Sequence, residues 1–339
     1  MFSLSTTLET LILKYAVLVD VPSPVCMKSL RTLHLDSVDF KNSNSIRNLI
    51  SGCPNLEDLV IYQCNRNDVV LTFTIVAPSL KRLLITDYGP ESMGYVINAP
   101  SLKYLNLTGF SHCGCCLIEN APMLVESKIR KVSYTANENI LGSLKSAKRL
   151  FLDLSPLEFP TEVMYYQLVY LEIYTHKVEW WNLLTLMLDS SPKLQVLKLT
   201  DEYLSFRNHG LVSRKWNEPK NVPECLVSHL KMFVWTRDEW ESEVEKEVVT
   251  YILKNARQLK NASFLTRHMD SEERRKMLKE LDGVVRASSS CHLVLDFYPS
   301  GKETFIFPSS LCTCNTLESL KLVFGFIVDI PSPVLMKSL

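Results

Sequence analysis

The sequence predicts an α/β solenoid whose strands make one curved parallel sheet. Three observations carry that prediction. The pattern Leu-x-x-Leu-x-Leu/Ile recurs along the first two-thirds of the chain. A proline stands at one fixed offset ahead of several of the copies. Beyond residue 199 the repeat gives way to alternating strand-like and helix-like segments.

The copies are Leu8-Leu11-Leu13, Leu30-Leu33-Leu35, Leu56-Leu59-Ile61, Leu80-Leu83-Ile85 and Leu102-Leu105-Leu107. A weak copy at Leu124 and Ile129 has Ser127 in its middle slot. Ala147-Leu150-Leu152, Leu168-Leu171-Ile173 and Leu194-Leu197-Leu199 follow. By subtraction their starts are 22, 26, 24, 22, 22, 23, 21 and 26 residues apart, inside the range of about 20–29 residues that marks leucine-rich repeats. Cys64 fills the Asn/Cys slot of its repeat. Pro54, Pro78, Pro100, Pro122 and Pro192 each lie two residues before a first leucine. Proline fixes φ and lacks an N–H, so it suits the position just ahead of a strand. One repeat cannot bury its leucines alone. Stacking makes a parallel sheet on the concave side over a continuous core, with loops and short helices such as the stretch 45–51 expected on the convex side.

After Leu199 the expected elements change. A strand over 230–235 precedes a helix from Glu241 to about Gln258, where Val244, Val248, Ile252, Ala256 and Leu259 share a stripe. Next come a strand at 262–265, a helix after Asp270 or Ser271 with Glu273 in the capping-box slot, and a strand over 291–297. The order βαβαβ can extend a parallel sheet by right-handed crossovers.

Composition excludes several function classes. The 339 residues are 46% hydrophobic and 22% charged, with 37 Lys plus Arg against 37 Asp plus Glu. A balanced charge argues against nucleic acid as partner, with a local basic patch left open, and no apolar run is long enough to cross a bilayer. The start has no basic region ahead of its apolar stretch, so it reads as mature structure rather than a signal peptide. The sequons at Asn106 and Asn261 then read as coincidences. Ten cysteines over this length read as reduced thiols of an intracellular protein, in nucleus or cytoplasm. No P-loop, GxGxxG, GxSxG or HExxH motif occurs, so neither a catalytic site nor a cofactor is expected. Cys113-Gly114-Cys115-Cys116 beside His112 offers one C-x-x-C, and Cys312 and Cys314 do not complete it, so no metal is expected. Glu239, Glu241, Glu243, Glu245 and Glu247 read as a solvated helix start.

Surface recognition remains. Alternation places the residues between the leucines on the concave face. Arg82, Tyr104, Arg149, Phe151, Tyr170 and Tyr174 concentrate aromatic and guanidinium side chains there, the composition of an interface anchor. They are the candidate contacts for a protein partner.

The segments WNEPKNVPECLVSHLKMFVW, EKEVVTYILKNARQLKNASF and RASSSCHLVLDF resemble the FBD domain of plant F-box/FBD/LRR proteins, and VDVPSPVCMKSLRTLHLDSV resembles their repeats. The resemblance implies a solenoid over 1–214, an FBD domain over 215–298, and a linker with a partial repeat over 299–339. It also implies the substrate-recognition part of a cullin-type ubiquitin ligase receptor. In that family an F-box docks a Skp-type adaptor. Here Met1 runs directly into the first repeat, so adaptor and cullin are expected only where an F-box is supplied elsewhere. Residues 316–339 match residues 7–30 at 15 of 24 positions, which reads as a second copy stopped within a repeat, with a C-terminal cap left open. A truncated family member without a ligase role is the alternative reading.

Overall fold

The computed structural model describes residues 7–15, 18–63, 72–88, 94–110, 115–132, 140–154, 163–176, 180–201, 216–237, 243–266, 269–297, 323–324 and 326–327. Cys64, the His112–Gly114 stretch, Glu239, Glu241, Cys312, Cys314 and nearly all of the 316–339 copy lie outside the described residues. Met1–Tyr298 forms one compact unit and Pro299–Leu339 a second.

The first unit is built on a twelve-stranded parallel sheet. Its strands are β1 (Thr10–Lys14), β3 (Thr32–Asp36), β5 (Asp58–Gln63), β7 (Arg82–Asp87), β9 (Tyr104–Thr108), β11 (Glu126–Val132), β12 (Arg149–Leu154), β13 (Tyr170–Tyr174), β14 (Val196–Thr200), β15 (Met232–Thr236), β16 (Asn261–Thr266) and β17 (His292–Phe297). They pair in chain order. Each of the nine sequence repeats supplies one strand, and the register places equivalent residues side by side: Leu11 beside Leu33, Leu33 beside Leu59, Leu59 beside Leu83. The inward leucines are buried from Leu30 to Leu199, and those at the two ends of the sheet, Leu8, Leu11 and Leu13 in the first repeat and Leu293 and Leu295 in β17, stay half-exposed.

Two backbone devices recur with the repeat. A turn precedes most strands of this sheet, and its first carbonyl accepts from the N–H three residues on: Leu80 N to Ala77 O at 3.2 Å, Leu102 N to Ala99 O at 3.0 Å. The prolines occupy the second position of these turns, where their fixed φ is preset. Next, the carbonyl just before one strand accepts two N–H groups from the following repeat. Lys103 O takes Val125 N at 2.9 Å and Glu126 N at 3.0 Å, and Lys148 O takes Val169 and Tyr170 likewise. These bonds fix the lateral step and satisfy groups that stacking would otherwise bury unpaired.

The convex side departs from the sequence expectation. A helix is there, α1 (Ser43–Ser51), capped by the Asn42 side chain. Beside it lies a second parallel sheet of β6 (Thr72–Val76), β8 (Gly94–Asn98) and β10 (Cys115–Asn120), and Leu18–Val19 (β2) pairs with Asp39–Phe40 (β4). The repeats from residue 58 to 120 thus carry two strands each. Phe40, Phe73, Tyr95 and Phe110 form an aromatic file between the sheets, with successive ring centroids 5.8, 5.3 and 5.1 Å apart. Rings of this size fill the gap between two sheets and gain from their mutual edge and face contacts. The Tyr95 hydroxyl donates to Asp87 Oδ2 at 2.7 Å.

The sheet does not break where the repeat does. β14 pairs directly with β15, and Leu199 stands beside Trp235. Helices α2 (Trp180–Ser190), α3 (Glu224–Ser228), α4 (Glu243–Asn255) and α5 (Ser271–Asp282) cover this half. The capping box at Asp270 and Glu273 forms as expected, while α4 is shorter than its apolar stripe and α2 has no counterpart among the sequence expectations. Trp216 donates to Thr185 Oγ1 at 3.1 Å and packs edge-on to Tyr251, so the start of the FBD-like stretch is pinned to both α2 and α4. In the second unit Val323–Phe324 (β18) and Phe326–Ile327 (β19) pair antiparallel.

Cys53, Cys116, Cys225 and Cys291 are buried, whereas Cys26 is exposed. Burial pushes the Cys53 thiol up to about 11 and that of Cys225 to about 12. Thiolate is the reactive form, so iodoacetamide at pH 8 should label Cys26 in the native protein and reach Cys53 and Cys225 only after unfolding; peptide mass mapping reads this directly. Phe73→Ala, which opens the aromatic file, should cost about 3–5 kcal/mol in urea denaturation. Gly109 has φ +91°, and a Cβ there would stand 2.5 Å from Asp87 O, so Gly109→Ala should destabilise by about 1–3 kcal/mol in the same assay.

Candidate functional site

The open face of the large sheet is set by the same register that builds the core. Outward residues fall into three rows across the strands. One begins Thr10, Thr32, Asp58, Arg82, Tyr104; the next Ile12, His34, Val60, Leu84, Asn106; the third Lys14, Asp36, Tyr62, Thr86, Thr108. The rows continue through β11 to β14 with Glu126, Arg149, Tyr170, Val196; Lys128, Phe151, Glu172, Lys198; and Arg130, Asp153, Tyr174, Thr200.

The six side chains singled out from the sequence do share this face, but not one environment. Tyr104 is 48% exposed. Arg82 is exposed too, and its Nε donates to Asp58 Oδ1 at 2.6 Å. Arg149 is half-buried, with Nε 3.5 Å from Glu126 Oε2. Phe151, Tyr170 and Tyr174 are buried at 8%, 3% and 8% exposure. The expectation that these three stand free on the concave face is therefore corrected. Large rings on adjacent strands pack on one another (Phe151 and Tyr170 centroids are 5.2 Å apart) and cations lie over them. Lys128 Nζ is 4.7 Å from the Phe151 centroid, the Arg149 guanidinium 5.1 Å from that of Tyr170, and Arg130 5.0 Å from that of Tyr174.

A buried polar network lies beside these rings. Glu172 accepts from the Tyr170 hydroxyl at 2.9 Å and from Thr200 Oγ1 at 2.9 Å, and Lys198 Nζ stands 3.1 Å from its Oε1. Burial raises the Tyr170 hydroxyl well above its ordinary pKa, and the Glu172 charge adds to that. His176 Nε2 lies 3.1 Å from the fully buried Asp153. Arg237 pairs with Glu245 and reaches Asp201. Sequence reasoning missed Glu172, Lys198 and Asp153 as interior groups. Polar residues at outward strand positions read as solvated, and nothing in a single strand signals closure by neighbours.

The open face therefore divides. Over β1 to β9 it presents exposed Ile12, Tyr62, Arg82 and Tyr104, and over β12 to β14 it is closed by packed rings and paired charges. Among the described residues no group of three or more His, Cys, Asp or Glu could hold a metal ion, and no helix is long and apolar enough to cross a membrane.

These features define a leucine-rich-repeat protein whose sheet continues into a βαβαβ segment. Residues 29–54 match the Leucine Rich Repeat family model, and residues 218–264 match that of FBD. An F-box/FBD/LRR-repeat protein of Arabidopsis thaliana is 58% identical over 304 residues, covering 87% of this chain and 66% of the relative. A putative F-box/FBD/LRR-repeat protein of the same plant is 56% identical over 301 residues, covering 87% and 67%. Another F-box/FBD/LRR-repeat protein is 53% identical over 308 residues, covering 87% and 68%. The chain belongs to the F-box/FBD/LRR-repeat family and spans about two-thirds of the length of these relatives.

Lys198→Met should cost about 3–5 kcal/mol, because it leaves Glu172 charged in the interior without its cation. The double change Glu172→Leu with Lys198→Met should recover most of that loss. Thermal or urea unfolding of the four proteins in the cycle measures it.

Proposed function

We propose that this chain is a protein-recognition module, corresponding to the substrate-holding part of a cullin-type ubiquitin ligase receptor. Its contact surface is the open face over β1 to β9, and its role is binding rather than catalysis. The observation that carries this is the contrast within one face: Tyr104 and Arg82 stand exposed, while Phe151, Tyr170 and Tyr174 are buried. Exposed aromatic and guanidinium groups on a rigid sheet lose little entropy on binding and serve as anchors. The buried rings of β12 and β13 act as the platform that holds Arg149 and the neighbouring strands in place. Membership of the F-box/FBD/LRR-repeat family supports the ligase setting. A Skp-type adaptor and a cullin are the partners which that setting implies, joined through an F-box, and a nuclear or cytoplasmic location follows from that role.

The near-copy of residues 7–30 within 316–339 favours a second reading, a rearranged family member that has kept the fold and left the ligase.

Affinity capture with the whole chain should recover a protein partner. Arg82→Ala with Tyr104→Ala should lower its yield about tenfold or more at unchanged melting temperature. Phe151→Ala should instead lower stability by about 3–5 kcal/mol. Recovery unaffected by the Arg82 and Tyr104 changes would sink this surface assignment. Co-recovery of a Skp-type adaptor and cullin would support the ligase setting; failure of any partner to appear would favour the rearranged-member reading.

A further inference from the structure

The residue just before each strand of the large sheet sits on one rim, at the strands' N-terminal ends, held there by the double carbonyl bond to the next repeat. Arg31, Lys81, Lys103, Lys148, Lys231 and Lys260 occupy this position ahead of β3, β7, β9, β12, β15 and β16. Only Glu9 and Glu57 oppose them in the same column. The preceding turns add Lys28, Lys145, Lys193 and Arg257 and no acid. The chain as a whole carries no net charge, so this excess is local and directional.

Glu57 holds two of the cations, Arg31 at 2.7 Å and Lys81 at 2.9 Å. Lys231 Nζ donates to Gln195 Oε1 at 3.0 Å. Lys103, Lys148 and Lys260 are exposed and form no ion pair among the described residues. At a strand spacing of about 4.8 Å the cations from β3 to β16 run along roughly 40 Å. Ahead of β11 and β13 the column holds Val125 and Val169 in place of a cation. The turn before each of these strands exposes a large apolar side chain: Met123 at 57% and Tyr166 at 60%.

We propose that this rim is a second docking surface, separate from the open face, for an extended acidic polypeptide with apolar residues at intervals. Charge complementarity names an anionic partner. The single-file arrangement fits one extended chain. Met123 and Tyr166 give it apolar seats between the cations. A single-stranded nucleic acid would call for aromatic platforms at successive steps, and this row offers one tyrosine. A membrane surface would call for a broad apolar face with the cations spread around it.

The test uses the whole chain and a labelled peptide of about twenty residues, glutamate throughout with leucine at every fifth position, followed by fluorescence anisotropy. Binding should weaken steeply as salt rises, since the screening length shrinks to about 8 Å at physiological ionic strength. Lys103→Glu, Lys148→Glu and Lys260→Glu together should weaken it about tenfold or more, with circular dichroism and melting temperature retained because all three side chains are exposed. The neutral triple Lys→Gln variant should fall between. Peptide binding that is equal in all three proteins overturns the proposal. So does a thymidine oligonucleotide of equal length, or a phosphatidylserine vesicle, that binds more tightly than the peptide and is lost in the reversed variant.

Discussion

The interaction on which the rest of this structure depends is the lateral bond between successive repeats. The carbonyl ahead of each strand from β1 to β15 of the large sheet accepts two N–H groups from the next repeat, and Leu33, Leu59 and Leu83 stand side by side in register beneath it. Neither half of this works alone. Leucines on one strand have nothing to pack against, and an unpaired strand leaves its amides unsatisfied. The half-exposed leucines of the first repeat, against the fully buried ones of the second and third, show the effect of removing one neighbour.

That bond also explains why the FBD-like segment extends the same sheet. Lys231 and Met232 donate to Gln195 O, and Lys260 and Asn261 donate to Lys231 O, as any repeat would. What changes is the crossover. Helices α4 and α5 replace the short convex strands, and Trp235, Phe233 and Phe264 take over the inward positions that leucines hold elsewhere.

The same periodicity distributes chemistry over the surface. Outward strand positions become rows on the open face, and pre-strand positions become a column on the rim. Rows of rings and opposite charges close on themselves, as around Glu172 and Lys198. A column of mostly one sign does so only in part, at Glu57, and leaves Lys103, Lys148 and Lys260 exposed.

Much of this was legible in the sequence. The leucine spacing determined the strands, their order and their inward faces, because a period-two strand repeated every two dozen residues has one way to bury its leucines. The prolines marked the turns, and Asp270 with Glu273 marked the start of α5. The convex sheet was not legible, because Phe73 and Tyr95 lie in short apolar runs that suit strand or helix equally. Nor was the fate of Phe151, Tyr170 and Tyr174. Alternation assigns a side chain to a face, but only the neighbours brought beside it by stacking decide whether that face is open. The sequence alone thus determined the large parallel sheet, since periodicity is a local property. Tertiary structure alone decided which part of the open face is available to a partner, since exposure depends on residues far apart in the chain.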